Sequence, residues 1–89
     1  MVTHIVLWNL KDKTQAPELK RQLEGLVGRA PGLVSAQVGL GFAGSDVALI
    51  AQLTDRQGLE DYQAYEPHVK IKEWVATIAS QRTVCDFEC

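Results

Sequence analysis

The chain has 89 residues, nine of them Lys or Arg and eleven Asp or Glu, for a formal net charge of −2. That length suits one domain, residues 1–89, with a single core somewhat short of comfortable burial, so help from a second chain is expected. Nearly cancelling charge with no long run of one sign excludes a phosphate-tracking or anionic-membrane surface, and neither nucleic acid nor membrane is expected as a partner.

The first stretch, "MVTHIVLWNLKDK", lacks a basic leader region and a small-residue cleavage site, and His4 and Asn9 interrupt its apolar run. It is expected to belong to a soluble, cytoplasmic chain. "VTHIVLWNL" is apolar on both alternating sets, with Val2, His4, Val6, Trp8 and Leu10 on one face and Ile5 and Leu7 on the other. That pattern predicts a central strand covered on both sides. A helix should follow, with Thr14 as its cap and Pro17 in its first turn. Its apolar stripe would be Leu19, Leu23, Leu26, Val27 and Ala30, and Pro31 and Gly32 would stop it.

"LVSAQVGL" alternates as a second strand, with Val34, Ala36, Val38 and Leu40 on one side, and "GFAGSD" supplies a hairpin turn into "VALIAQL". The third strand again has two apolar faces and no titratable side chain. Gly39, Gly41 and Gly44 match a G-x-G-x-x-G pattern, but no helix opens after them, so the dinucleotide reading gives way to the turn. "TDRQGLEDYQAY" reads as a short helix capped by Asp55. Pro67 then opens another at its first position, with His68 second and an apolar stripe of Val69, Ile71, Trp74, Val75 and Ile78. Lys70 and Lys72 with Glu66 and Glu73 read as its solvated face, carrying an i, i+4 pair. "RTVCDFEC" closes as a strand, which sets Cys85 and Cys89 on one face about 13 Å apart at ~3.3 Å per residue, too far for a disulfide. Both are expected as small buried hydrophobes in a reducing compartment.

Right-handed crossovers turn this order into an α+β, ferredoxin-like βαββαβ sheet with its helices on one face. The other face would be apolar and bare, which predicts a homodimer packed sheet to sheet as a dimeric α+β barrel. Such a contact would bury on the order of 800 Å² per chain, a gross gain of ~20 kcal/mol at ~25 cal/mol per Å² before association costs.

Among polar side chains, His68 is placed on the interior stripe at a helix start, where desolvation and the helix dipole both favour neutral imidazole. A neutral ring can act as general base on a proton α to a carbonyl, with Tyr62 or Tyr65 donating to the enolate oxygen and His4 orienting the substrate. The competing reading is a hydrogen-bonded packing histidine under tyrosine lids. Trp8 and Trp74 read as core or interface anchors that also offer stacking surfaces to a flat ligand. A metal held by His4, His68 and Asp86 has neither diagnostic spacing nor ligand count, and no metal or cofactor is expected.

Four stretches in order, "THIVLWNLKD", "PGLVSAQVGLG", "YQAYEPHV" and "VCDFE", together resemble the stress-responsive A/B barrel (Dabb) domain family. The resemblance covers nearly the whole chain. It implies a dimeric α+β barrel of ferredoxin-like halves and, by analogy with plant polyketide cyclases of the family, a pocket between sheet and helices. Position by position, His4 matches the first-strand histidine, Tyr62 the tyrosine before the histidine motif, and His68 the last histidine of that motif. The chain departs from the usual Y-x-x-H-P-x-H in carrying Tyr65 for the first histidine and Pro67 one place later. The expected function is binding of a small apolar carbonyl or polyketide-like ligand, with a cofactor-independent cyclase using His68 as base as its enzymatic form. A non-catalytic stress-response or ligand-binding module, and a barrel related to cofactor-free monooxygenases, are the alternatives.

Overall fold

In the computed structural model, which describes residues 1–88, strand β1 runs over Val2–Leu10 and helix α1 over Ala16–Glu24. Strands β2 (Leu33–Leu40) and β3 (Val47–Leu53) follow, then helices α2 (Arg56–Ala64) and α3 (Glu66–Ile78), and strand β4 (Ala79–Glu88). The sheet has the order β2-β3-β1-β4 with every neighbouring pair antiparallel, so β1 and β3 are the inner strands, as their two apolar faces predict. Val2, His4, Val6, Trp8 and Leu10 of β1 and Val47, Leu49, Ala51 and Leu53 of β3 turn towards the helices. There they meet Leu19 and Leu23 of α1 and Ile71 and Val75 of α3 in one core.

The first helix is shorter than its apolar spacing predicts. Asp12, not Thr14, provides the opening cap: its carboxylate accepts from the Thr14 N–H and starts a single 3-10 turn over Lys13–Gln15. The helix ends at Glu24, with Gly25 as its C-cap, and the chain continues in turns that include Gly28 at φ +83°. Leu26 and Ala30 are still buried by those turns, whereas Val27 is left largely exposed. Gly32, at φ +77°, lies so close to the Gly58 backbone that a β-carbon there would collide with it, and its carbonyl accepts from Thr54 N–H at 3.0 Å. This close approach seats the start of α2, where the Asp55 carboxylate caps the Gly58 N–H as expected.

Strand β2 has the expected limits, but its pairing with β3 shifts between Leu33 and Ser35. Only Val38 of the expected stripe is fully buried, while Val34 and Leu40 are exposed. At this sheet edge the Val38 N–H donates to the Glu24 carboxylate and the Val38 carbonyl accepts from Lys20 Nζ. Helical side chains thus occupy backbone groups that would otherwise template another strand. Those two donors, the backbone N–H first, hold the Glu24 carboxyl below its usual pKa.

The face away from the helices carries Ile5 and Leu7 of β1, Ile50 of β3, and Cys85 and Phe87 of β4. Ile50, Ile5 and Cys85 stand in register across three strands. Leu7, Ile50 and Phe87 are among the exposed large hydrophobic residues, Ile50 at 44% exposure. Cys85 is exposed rather than buried, because β4 is an edge strand and no helix covers this side. The expectation for Cys89 falls outside the described residues. Among those described, no helix is long and apolar enough to cross a membrane.

Candidate functional site

His4 sits in the middle of β1 on the helix-facing side and is 2% exposed. The β1–β4 register places Asp86 directly opposite, and His4 Nδ1 bonds to the Asp86 carboxylate. A carboxylate only accepts, so Nδ1 carries the proton and Nε2 faces away from the pair. The carboxylate thereby fixes the tautomer and tilt of the ring, and it compensates the positive charge that proton uptake at Nε2 would create.

His68 reaches the same region from above. Glu66 and Pro67 occupy the first two positions of α3, so His68 is third rather than second, and with Ile71 and Val75 it forms the buried stripe of that helix. Its Nδ1 lies 3.0 Å from the carbonyl of Tyr62 at the end of α2, an oxygen that also accepts the Tyr65 N–H of the helix cap at 3.3 Å. The imidazole N–H donates to that carbonyl and leaves Nε2 as a bare lone pair. The Tyr62 ring packs between the two histidines, stacked on His68 at 4.1 Å and edge-on to His4 at 6.4 Å between centroids. Burial pushes the Tyr62 hydroxyl up to about 12, and that hydroxyl has no hydrogen-bond partner among the described residues.

Burial pushes His68 down from 6.5 to about 4; the Tyr62 carbonyl opposes this, and the positive charges of Lys72, His4 and Arg82 add to it. The ring is therefore neutral near pH 7. Between about 6.5 and about 4 the unfolded chain binds a proton that the folded chain refuses. The stability contributed by neutral His68 is complete above that window and falls as the pH is lowered through it. Urea unfolding at pH 7 and pH 4.5 should show a larger loss of midpoint for the parent than for His68→Gln. Equal losses would show that the ring is not held neutral.

Both histidines line a cavity of about 450 Å³ between β1, β4 and α3. Its walls are mainly Val6, Trp8, Leu49, Ile71, Val75 and Ala79, and Gln63, Lys72, Gln81 and Arg82 supply its polar part. An apolar chamber with a few convergent polar groups suits a small organic ligand. Of the residues singled out from sequence, His4, His68 and Trp8 come together here. Tyr62, at 0% exposure, stands behind them as packing and does not line the cavity. Tyr65 and Trp74 pack half-buried against the core and do not line it either. Among the described residues no group of three candidate metal ligands is assembled.

Lys72 and Arg82 were not legible as parts of this site, and Asp86 was singled out from sequence only as a weak third metal ligand beside His4 and His68. Asp86 and Arg82 enter through the β1–β4 pairing, which sequence spacing does not reveal. Lys72 lies on the exposed face of α3 as expected, and from there its ammonium donates to the Gln63 carbonyl at 2.8 Å and borders the cavity. The expected Glu66–Lys70 pair is not among the ion pairs of the described residues.

A four-stranded antiparallel sheet with helices on one face and a chamber beneath them defines a ferredoxin-like α+β domain. The chain belongs to the Stress responsive A/B Barrel Domain (Dabb) family, whose model matches residues 2–89. A dimeric protein of unknown function with a ferredoxin-like fold from Bacteroides fragilis NCTC 9343 is similar at 23% identity and TM-score 0.88, over 99% of this chain and 95% of that one. A dimeric ferredoxin-like protein of unknown function from Thermobifida fusca YX is 25% identical, with TM-score 0.85 over 99% of this chain and 90% of that one. SnoaB, a cofactor-independent oxygenase from Streptomyces nogalater, shares the fold at 13% identity and TM-score 0.82, covering 99% and 91%. Comparison with curated proteins gives no match.

Proposed function

We propose that this protein is a homodimer, paired through the apolar face of its sheet, that binds a small apolar carbonyl compound in the cavity and promotes its ring closure by proton transfer. The observation that carries this reading is a cavity-lining imidazole, His4, backed by the Asp86 carboxylate. From sequence, His68 is the base and His4 the orienting group; the hydrogen bonding supports the reverse. An effective base at neutral pH has a pKa near the operating pH, and His68, pushed down to about 4, holds a proton poorly. His68 instead presents a neutral acceptor that orients an enol or hydroxyl, while Tyr62 positions its ring by stacking.

On a polyketide-like substrate the step balances without oxidant or reductant. His4 Nε2 takes a proton from carbon, and the carbanion attacks a carbonyl carbon five atoms along, closing a six-membered ring. The proton passes to the new alkoxide, and the resulting hydroxyl leaves as water with a proton from the adjacent ring carbon as the ring aromatises. 1-Phenylhexane-1,3,5-trione tests this directly, since the same sequence converts it to 5-phenylresorcinol. The protein should accelerate formation of that product with no oxygen uptake. If the trione neither binds nor turns over above the protein-free rate, the cyclase reading is wrong.

Two observations support other readings. His68 Nδ1 is spent on backbone, as in a packing histidine, which favours a binding module; trione binding without turnover would select it. Fold similarity to proteins described as antibiotic biosynthesis monooxygenases favours an oxygenase, which oxygen consumption with a quinol would reveal.

A further inference from the structure

We propose that the ligand of this cavity carries a carboxylate on its apolar body, and that Arg82 holds it at the chamber wall with the Trp8 indole N–H and the Lys72 ammonium. This rests on the reading of the cavity as a ligand site and names the chemistry it selects. Trp8 and Arg82 are paired residues of the β1–β4 ladder, so their side chains leave the sheet side by side on the cavity face, with Cβ atoms about 4.5–5.5 Å apart. Trp8 is 5% exposed, and its Nε1, which can only donate, has no partner among the described residues. A buried donor left in that state lacks an acceptor oxygen.

Arg82 forms no ion pair among the described residues. Lys72 uses one of its three N–H groups on the Gln63 carbonyl and keeps the others. No Asp or Glu lines the cavity, and the nearest carboxylate on this face of β4, Asp86, is committed to His4. The wall is thus cationic and rich in donors in a chain whose net charge is −2. A neutral hydrocarbon would leave the buried indole N–H unanswered and would gain nothing from the guanidinium at the rim. A carboxylate accepts from the planar Arg82 fork through two oxygens and has lone pairs left for the indole.

Two probes of the same ring, 2-naphthoate and 2-naphthamide, separate charge from shape in titration calorimetry. The parent protein should bind the naphthoate tighter than the amide by roughly tenfold or more, an advantage that shrinks as salt is raised. Arg82→Gln, an exposed position, should bring the two affinities to within about twofold. Arg29→Gln removes the same charge outside the cavity lining and should behave as the parent does. Equal affinities in the parent, or an advantage that survives in Arg82→Gln, would overturn carboxylate recognition while leaving the cavity as a binding site. If neither probe binds, the cavity reading itself fails and takes this inference with it.

Discussion

Asp86→Asn is expected to slow conversion of 1-phenylhexane-1,3,5-trione by about 10²–10⁴-fold while leaving the fold intact, because an amide can present its N–H to His4 Nδ1 and stabilise the unproductive tautomer. Asp86 is an edge-strand residue with its side chain 38% exposed, so the substitution leaves no buried cavity. His4→Gln should cost about as much, and the double variant little more, since the two side chains act as one unit. Initial rates of 5-phenylresorcinol formation, with trione affinity measured separately, provide the check. A rate for Asp86→Asn within threefold of the parent would remove His4 from the role of base. An unchanged affinity beside a lost rate would place the pair in chemistry rather than binding.

The second large effect concerns association. Placing Glu at both Leu7 and Ile50 sets two carboxylates into the apolar face away from the helices, where a partner sheet would strip them of water. The parent should sediment as a dimer at micromolar concentration and the double variant as a monomer with a lower unfolding midpoint. Proteins of similar fold from Bacteroides fragilis and Thermobifida fusca are described as dimeric, and in this chain the row Ile50, Ile5, Cys85 crosses three strands on the uncovered face. A parent that sediments at the mass of one chain would refute pairing through this face. Dissociation of the variant without loss of the naphthoate site would show that each chain holds its cavity alone.

The architecture was legible because the inner strands β1 and β3 are apolar on both faces and so appear in sequence as unbroken apolar runs, and the limits of the first three strands follow from the turn residues around them. The length of α1 was not. Leu26 and Ala30 keep helical spacing, yet Gly25 and Gly28 let the chain turn while burying the same side chains. Periodicity records which residues are inside and not the backbone that takes them there. Of the site, His4, His68 and Trp8 were legible as polar or aromatic residues on interior stripes. The partner of His4 lies 82 residues away and is joined to it by a ladder register, so sequence raised Asp86 only as a weak metal ligand and did not show it as that partner. Tyr62 was read as a donor from its residue type and its match to the family's tyrosine; in the structure the ring is fully buried and stacks on His68.

That 82-residue separation also sets the order in which the molecule matures during synthesis. Helices and the β2–β3 hairpin can form as the polypeptide leaves the ribosome, but β4 cannot dock on β1 until residue 86 has cleared the exit tunnel. A nascent chain stalled earlier would hold His4 beside an empty sheet edge, with its ring untethered and the cationic wall of Arg82 unbuilt. The His4–Asp86 pair and the Trp8–Arg82 wall would therefore arrive in a single late event, when the last strand closes on the first.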